Sequence, residues 1–302
     1  MYFVQFSASK VVPYQDPRAF EKRVKSWLTI REAENSYFLG HMGDIAQAPQ
    51  NHALQLFTVE EAGQLAAAGV LFPNGTLCLT WATQEQTEAV VNHAVANRWR
   101  ILSAFSAGHV AWWFAQSFAQ KTGQKAEIGR SERVYQLSHH AYDLPSQGHL
   151  EVATPADNKF LRQWVEGFIE EAGFETENQS PDNILEMLVA PRLLYLWKSP
   201  EPLAMAAWVA PTPNGASINF VYTPPEFRGQ GYGKAVTAAL GAQMLASGLR
   251  YCFILTDTDD VRSNSIYQKI GGQTVAEFMR ARILSRHQMV RASAHQTGSL
   301  TV

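Results

Sequence analysis

The sequence has few of the features that mark secreted, membrane or nucleic-acid-binding proteins. Cys78 and Cys252 are the two cysteines among 302 residues, too few for a disulfide framework, and each lies in an apolar run typical of a buried thiol. The net charge of −2 leaves no basic excess for nucleic acid or an acidic membrane. No apolar run approaches the roughly 20 residues that span a bilayer. We therefore expect a cytoplasmic protein that has neither nucleic acid nor a membrane as partner.

What the sequence does contain is a glycine-rich turn directly after a strand-like run. Residues 218–222 form a strand-like run, and glycines follow at 229, 231 and 233. Glycine has no Cβ and adopts positive φ readily, so several backbone N–H groups can converge on one anion. Apolar residues then recur at helical spacing up to residue 247, which places the turn at a helix N-terminus. Together these features predict a phosphate-binding loop.

Two common phosphate-binding motifs do not match this loop. A Walker-type loop requires a glycine and a hydroxyl at the places where Arg228 and Ala235 stand. The dinucleotide fingerprint GxGxxG requires a glycine where Lys234 stands, and it usually opens a βαβ domain. The pattern therefore disfavours a nucleotide kinase, an ATPase and a nicotinamide-dependent dehydrogenase.

The pattern that fits is RxxGxG, formed by Arg228, Gly231 and Gly233 directly after a strand. A second segment follows in the same order along the chain: an apolar strand-like run at 251–257, then a polar loop and a helix-like stretch that contains Tyr267. In these two segments the chain resembles the GNAT superfamily of acyl-CoA-dependent N-acetyltransferases. The resemblance covers residues from about 148 to 284.

The resemblance implies specific roles for the residues of both segments. The loop amides are expected to hold the pyrophosphate of acetyl-CoA, and the backbone at the strand end is expected to pair with the pantetheine arm like an added strand. Tyr267 would be the general acid that protonates the departing thiolate. Asn264 either contacts the pantetheine or helps to cap its helix. The expected cofactor-binding residues are Val221, Tyr222, Thr223, Arg228, Gly229, Gln230, Gly231, Tyr232, Gly233, Lys234 and Asn264.

Two positions depart from the family pattern, and no residue is singled out as general base. Asp260 stands where many relatives have asparagine, and Gly272 replaces the aromatic residue that usually follows the glycine of the last helix. A base is needed to deprotonate an ammonium acceptor. Several carboxylates remain candidates and Asn219 can orient a water, while no metal site is predicted. The candidate carboxylates are Glu170, Glu171, Glu226 and Asp257.

The fold class we predict is α/β with an α+β mixed sheet, built as two tandem GNAT-like domains. Turn-forming residues at 142–148 suggest domains at 1–145 and 146–302. The second half reads β-α-α-β-β-β-α-β-α-β, and a strand-helix-strand-helix-strand order in the first half suggests a degenerate repeat. The first half has no RxxGxG, so we expect it to bind no coenzyme A.

These observations predict an N-acetyltransferase that moves the acetyl group of acetyl-CoA to a primary amine in a ternary complex. The acceptor would be a small-molecule or peptide amine. One alternative is a non-catalytic acyl-CoA-binding or interaction protein, which the departures at Asp260 and Gly272 and the missing base motivate. Another is an acyltransferase that uses a different acyl-CoA. The expected state is a monomer with an internal pseudo-dimer.

Overall fold

The computed structural model describes residues 8–47, 54–139, 147–172 and 180–284. The described residues divide into two compact units. The first unit consists of the described residues up to Glu132 and those from Ala276 onward, and the second unit is Arg133–Val275. Each unit combines helices with a mixed sheet.

The first unit contains three helices near the start of the described chain and two more between its later strands. Its elements are β1 (Lys10–Tyr14), α1 (Pro17–Thr29), α2 (Ser36–Gly40), α3 (Met42–Gln47), β2 (Gln55–Glu61), β3 (Gln64–Leu71), β4 (Thr76–Leu79), α4 (Gln84–Ala96), β5 (Ser103–Ala107), α5 (Val110–Thr122), the first part of β6 (Lys125–Leu137) and most of β12 (Gln273–Leu284).

The sheet of the first unit has the strand order β1-β2-β3-β4-β5-β12. Strands β1 to β4 pair antiparallel in series, β4 pairs parallel with β5, and β5 pairs antiparallel with β12. Helices α4 and α5 pack on this sheet through a shared core that includes Val91 and Phe114. Helix α1 buries Phe20, Val24 and Leu28, which recur every four residues as one apolar face.

The second unit follows the order of elements predicted for it. Its elements are the rest of β6, β7 (His149–Val152), α6 (Asn158–Ala172), α7 (Pro181–Val189), β8 (Leu194–Lys198), β9 (Pro202–Val209), β10 (Gly215–Tyr222), α8 (Tyr232–Ala246), β11 (Tyr251–Asp257), α9 (Val261–Lys269) and the start of β12.

The pairing in the second unit repeats that of the first. Its strand order is β7-β8-β9-β10-β11-β6; β7 to β10 pair antiparallel in series, and β10 pairs parallel with β11. In both units, therefore, three antiparallel pairings precede one parallel pairing. The prediction of two tandem domains with the same mixed-sheet fold is confirmed at the level of topology.

Both faces of the second sheet are covered. Because strand side chains alternate between faces, Leu194 and Leu196 of β8 enter a core with α6 and α7. Tyr195 and Trp197 of the same strand enter the other core, which α8 and α9 share. A sheet covered in this way carries apolar residues on both faces, as the sequence of β8 does.

The compact units are not contiguous halves of the chain. The predicted boundary at 145/146 falls among residues outside the described ranges. Strand β6 has residues in both units, and so does β12, whose pairing with β5 places residues 276–284 in the first unit. The two units therefore differ from the ranges 1–145 and 146–302, because strand pairing assigns each strand to a sheet irrespective of its place in the chain.

The predicted loose tail from Ser285 also lies outside the described residues. Over the ranges that are described, none of the helices has the length and apolarity needed to cross a bilayer.

Candidate acyl-CoA site

The site begins where two parallel strands of the second unit part. Strands β10 and β11 are paired from Gly215 with Tyr251 to Ser217 with Phe253, and then both continue without further pairing to each other. In the first unit, β4 pairs with β5 along its whole length, from Thr76 with Ser103 to Leu79 with Ser106. The two parallel strands therefore separate in the second unit, at β10 and β11, whereas β4 of the first unit stays paired with β5 to its end.

A bulge bends β10 at this point. Its register with β9 shifts between Asn219 and Tyr222, and Phe220 has a φ of 52°, which is unusual for a non-glycine residue. The Asn219 Oδ1 accepts a hydrogen bond of 2.7 Å from the N–H of Phe220 and so supports this turn of the backbone. A bulge withdraws residues from the regular ladder. The backbone of Val221, Tyr222 and Thr223 thus lies at the irregular end of a strand that has parted from its neighbour.

The glycine loop connects this strand end to α8. Gly229 and Gly231 have φ of 79° and 85°, so both occupy the left-handed region that favours glycine. Gly231 is the N-cap of α8, and as a glycine it has no side chain with which to cap this helix end. A Cβ built on either glycine would meet no described atom within 4 Å. Both glycine positions therefore border open space at the positive end of the α8 helix dipole, an arrangement suited to a phosphate.

The corresponding helix of the first unit begins differently. Thr83 caps α4: its Oγ1 accepts a 3.2 Å hydrogen bond from the N–H of Gln86, whose side chain accepts one of 2.9 Å from the N–H of Thr83. This capping box occupies backbone donors that an anion would otherwise use. The corresponding helices α4 and α8 of the two units therefore start differently.

The remaining loop residues lie around the start of α8. The Tyr232 hydroxyl donates to Gln230 Oε1 at 3.0 Å. A Cβ on Gly233 would lie 3.1 Å from the hydroxyl oxygen of Thr223, so glycine permits a close approach of loop and helix. Lys234 is half-buried in the first turn of α8. The structure therefore brings the predicted loop residues together around one helix end.

Arg228 points toward the strand end and α6. Its Nε donates to the carbonyl of Thr223 at 2.9 Å, and its Nη2 lies 2.5 Å from Glu171 Oε1. The guanidinium carbon lies 5.6 Å from the centre of the Tyr222 ring. The hydrogen bond that Arg228 donates to Glu171 raises the pKa of Arg228 above its ordinary value. Glu171, one of the four candidate bases, is thus engaged in an ion pair.

Tyr267 is a buried residue of α9. Its side chain packs in the core shared with α8, and its ring centre lies 5.8 Å from that of Tyr135 in β6. Burial, and secondarily the carboxylate of Asp260, raise the pKa of Tyr267 well above its ordinary value. The phenol therefore remains protonated throughout the neutral range. It can donate a hydrogen bond, although a raised pKa makes it a weaker proton donor.

Asn264 is bonded to the protein through both ends of its amide. Its Nδ2 donates to the carbonyls of Asp257 at 2.8 Å and Asp260 at 2.7 Å. Its Oδ1 accepts from the Tyr135 hydroxyl at 2.9 Å and from Arg133 at 3.2 Å. Asn264 thus joins the loop after β11 to β6, and its predicted contact with the pantetheine stays a prediction.

Both departures from the family pattern have a structural explanation. Asp260 is the N-cap of α9, and its Oδ1 accepts a 3.0 Å hydrogen bond from the N–H of Ser263, a role that asparagine and aspartate fill equally well. A Cβ on Gly272 would lie only 2.6 Å from the carbonyl oxygen of Tyr267 and 3.3 Å from the Tyr135 ring. Tyr135 therefore occupies space next to Gly272 that a larger side chain there would need.

Sequence reasoning missed the partners that come from distant parts of the chain. Tyr135 and Arg133 on β6 lie more than 120 residues before Asn264, and no local pattern links them. Glu171 appeared only among the candidate bases. The remaining candidates Glu170 and Glu226 are exposed, and Asp257 accepts a 2.9 Å hydrogen bond from the N–H of Asp259. In the part of the chain that the structure describes, no cluster of three potential metal ligands occurs.

Known proteins share both the motif region and the fold. The model of the FR47-like protein family matches residues 196–281. A GNAT-family acetyltransferase from Colwellia psychrerythraea is 15% identical, with 91% of this chain and 100% of that chain covered and a TM-score of 0.58. A GCN5-related N-acetyltransferase from Sphaerobacter thermophilus is 14% identical, with 93% and 96% covered and a TM-score of 0.60.

A third structure has the tandem architecture. This tandem GNAT protein from the clavulanic acid biosynthesis pathway is 12% identical, with 90% of this chain and 97% of that chain covered and a TM-score of 0.53. A search among curated proteins finds no match. Residues 196–281 thus match the FR47-like family model, and the chain has the fold of these GNAT structures.

Proposed function

We propose that the protein is an N-acetyltransferase that uses acetyl-CoA and a primary amine, with the transfer site in the second unit. The observation that carries the proposal is the coincidence of three features at one place: the parted strands β10 and β11, the bulge at Phe220, and the uncapped start of α8. In the first unit, β4 stays paired with β5 along its whole length and the corresponding helix α4 starts with a capping box. The cofactor is therefore assigned to one unit of the two.

The residues present fit the cofactor. The N–H groups that begin α8, with the glycines before them, would hold its pyrophosphate. The strand end at Val221, Tyr222 and Thr223 would hold its pantetheine arm by backbone hydrogen bonds. When bound, acetyl-CoA supplies an acetyl group already activated as a thioester.

The chain contributes orientation and a hydrogen-bond donor. Backbone N–H groups at the bulged strand end are suited to stabilise negative charge on a carbonyl oxygen, which develops when an amine attacks. Tyr267 keeps its proton and is assigned the role of donor to the leaving sulfur. Holding both reactants at one strand end lowers the entropic cost of their encounter.

The first test is a thermal-unfolding titration with acetyl-CoA. Wild type should be stabilised as ligand is added, by about 2.7 kcal/mol at a concentration 100 times Kd. Gly231→Glu should abolish the shift, because it places a carboxylate in the phosphate loop. Gly248→Glu is a matched control: Gly248 also has a positive φ, 102°, with no described atom within 4 Å of its Cβ position, and it follows the other end of α8.

The outcomes are distinct. Both variants should melt below wild type through backbone strain, but Gly248→Glu should keep the ligand-dependent shift. Absence of any shift in wild type at millimolar acetyl-CoA would refute the proposal.

If binding is observed, a panel of primary amines assayed by thiol release tests whether the acetyl group is transferred. Comparing the turnover of acetyl-, propionyl- and succinyl-CoA tests which acyl group the enzyme prefers. Binding without transfer to any amine would favour a non-catalytic acyl-CoA-binding protein.

A further inference from the structure

The C-terminal part of α6 contacts the bulged end of β10 at two positions and the loop that follows β10 at a third. A Cβ on Gly167 would lie 2.3 Å from the Tyr222 hydroxyl oxygen, so the helix backbone lies directly over that side chain. The ring of Phe168 lies 5.1 Å from that of Phe220, centre to centre. The third contact is the ion pair of Glu171 with Arg228. Residues 167 and 171 are one helical turn apart, so one face of α6 lies on the strand end.

Arg228 connects this helix face to the strand end. The same guanidinium donates to the carbonyl of Thr223 and to Glu171, and it lies near the Tyr222 ring. Arg228 therefore connects Thr223, the residue that follows β10, to helix α6.

We propose that Glu171 and Arg228 are positioning residues that form a clasp, the ion pair that fixes the end of β10 for the cofactor. In this role Arg228 acts on the cofactor through the backbone of residues 221–223, and it does not bind a phosphate through its side chain. The inference rests on the proposed function and deepens it, because it separates the residues that touch the cofactor from those that shape its site.

The clasp and direct phosphate binding predict opposite effects at Glu171. If the guanidinium bound a phosphate, Glu171 would compete for it, so removing the carboxylate charge would strengthen cofactor binding. If the pair is a clasp, removing the same charge loosens the strand end and weakens binding. The Glu171 side chain is 51% exposed, so Glu171→Gln is compatible with folding.

The experiment is a calorimetric titration of the full-length protein with acetyl-CoA. Glu171→Gln and Arg228→Gln should each raise Kd about three- to fivefold, the range expected from a partly exposed ion pair. The double variant should bind no more weakly than the weaker single variant, because both substitutions break the same interaction. Arg228→Lys should not restore affinity, since one ammonium cannot reproduce the two directed contacts of the guanidinium.

Two further measurements separate the clasp from a general loss of charge or structure. Glu226→Gln removes the same charge from an exposed position in the same loop and should leave Kd unchanged or lower it. The ionic-strength dependence of Kd should be the same for wild type and Arg228→Gln, because a side chain that does not contact a phosphate contributes no screened attraction of its own.

Tighter or unchanged binding by Glu171→Gln would overturn the clasp while leaving the proposed function intact, and so would restored affinity in Arg228→Lys. Failure of wild type to bind acetyl-CoA would overturn both.

Discussion

At the residue scale, Tyr267 and Tyr135 are neighbouring buried phenols with different assignments. Tyr135 donates to Asn264 Oδ1 and serves the structure, whereas Tyr267 is proposed to donate to the leaving sulfur. Both side chains are in the core of the second unit. Replacing each tyrosine by phenylalanine therefore compares a proposed catalytic phenol with a structural one in the same core.

We predict that Tyr267→Phe lowers kcat about 100-fold, the scale of a lost general acid, and leaves the Kd for acetyl-CoA within about twofold. Tyr135→Phe, the matched control, should lower thermal stability and leave kcat nearly unchanged. Because burial raises the pKa of Tyr267, its deprotonation should not reduce kcat between pH 7 and about 10. An unchanged kcat in Tyr267→Phe would remove Tyr267 from the acid role.

A second prediction concerns the buried thiol of Cys252. Burial raises its pKa to about 12, and in the unfolded chain the thiol ionises near its ordinary value of about 8.5. Between these pH values the unfolded state releases a proton that the folded state keeps. The thiol's contribution to stability is therefore complete below the unfolded pKa and falls by about 1.4 kcal/mol per pH unit above it.

Cys252→Ala should be less stable than wild type at pH 7, and the difference should shrink as pH rises from 9 to 11 in urea-unfolding measurements. Val236→Ala is the control, because it creates a cavity in the same core without a titratable group. Parallel pH profiles for wild type and Cys252→Ala would contradict the prediction.

At the element scale, the two helices that follow the antiparallel series of strands start differently. Helix α4 carries a complete capping box, whereas α8 begins at a glycine that has no side chain to cap it. Closing a helix start stabilises the fold, and leaving it open provides an anion site. This contrast supports the proposed assignment of acetyl-CoA to the second unit.

We predict that Thr83→Ala lowers the free energy of unfolding by about 1 kcal/mol and leaves acetyl-CoA affinity unchanged. Chemical denaturation and calorimetry measure the two quantities. Ser180→Ala, which removes the N-cap of α7, is a control for cap loss in the second unit. Weakened cofactor binding by Thr83→Ala would contradict the assignment of acetyl-CoA to α8.

At the scale of the whole molecule, each unit depends on strands from both halves of the chain. The first unit uses residues 276–284, and the second uses residues 133–137, which include the buried Tyr135. A cut at the predicted boundary therefore removes a sheet strand from each unit. Tandem domains of this kind are not independent folding units.

We predict that fragments 1–145 and 146–302, produced separately, are largely unfolded or aggregated, because each has an unpaired sheet edge. Mixed or co-expressed fragments should associate and recover the ordered state. Circular dichroism and size-exclusion chromatography test both statements. Two soluble, cooperatively folding monomeric fragments would contradict the prediction.

The sequence by itself determined the features that depend on neighbouring residues. The glycine spacing of RxxGxG, the helical repeat after it and the order of strands and helices in the second half are local patterns, because φ preference and side-chain periodicity act over a few residues. Those patterns were sufficient to predict the family fold and the loop. They provided no prediction for α1 to α3, for which the sequence analysis had no motif.

Only the tertiary structure decided which distant residues meet. Strands β6 and β12 each have residues in both units. Within the second unit, the hydrogen bond of Tyr135 to Asn264 joins residues 129 positions apart, and the ion pair of Glu171 with Arg228 joins residues 57 positions apart. Such contacts follow from strand pairing and helix packing, which no periodicity in the chain records. For the same reason the sequence predicted the loop that would hold the cofactor but not the side chains that shape it.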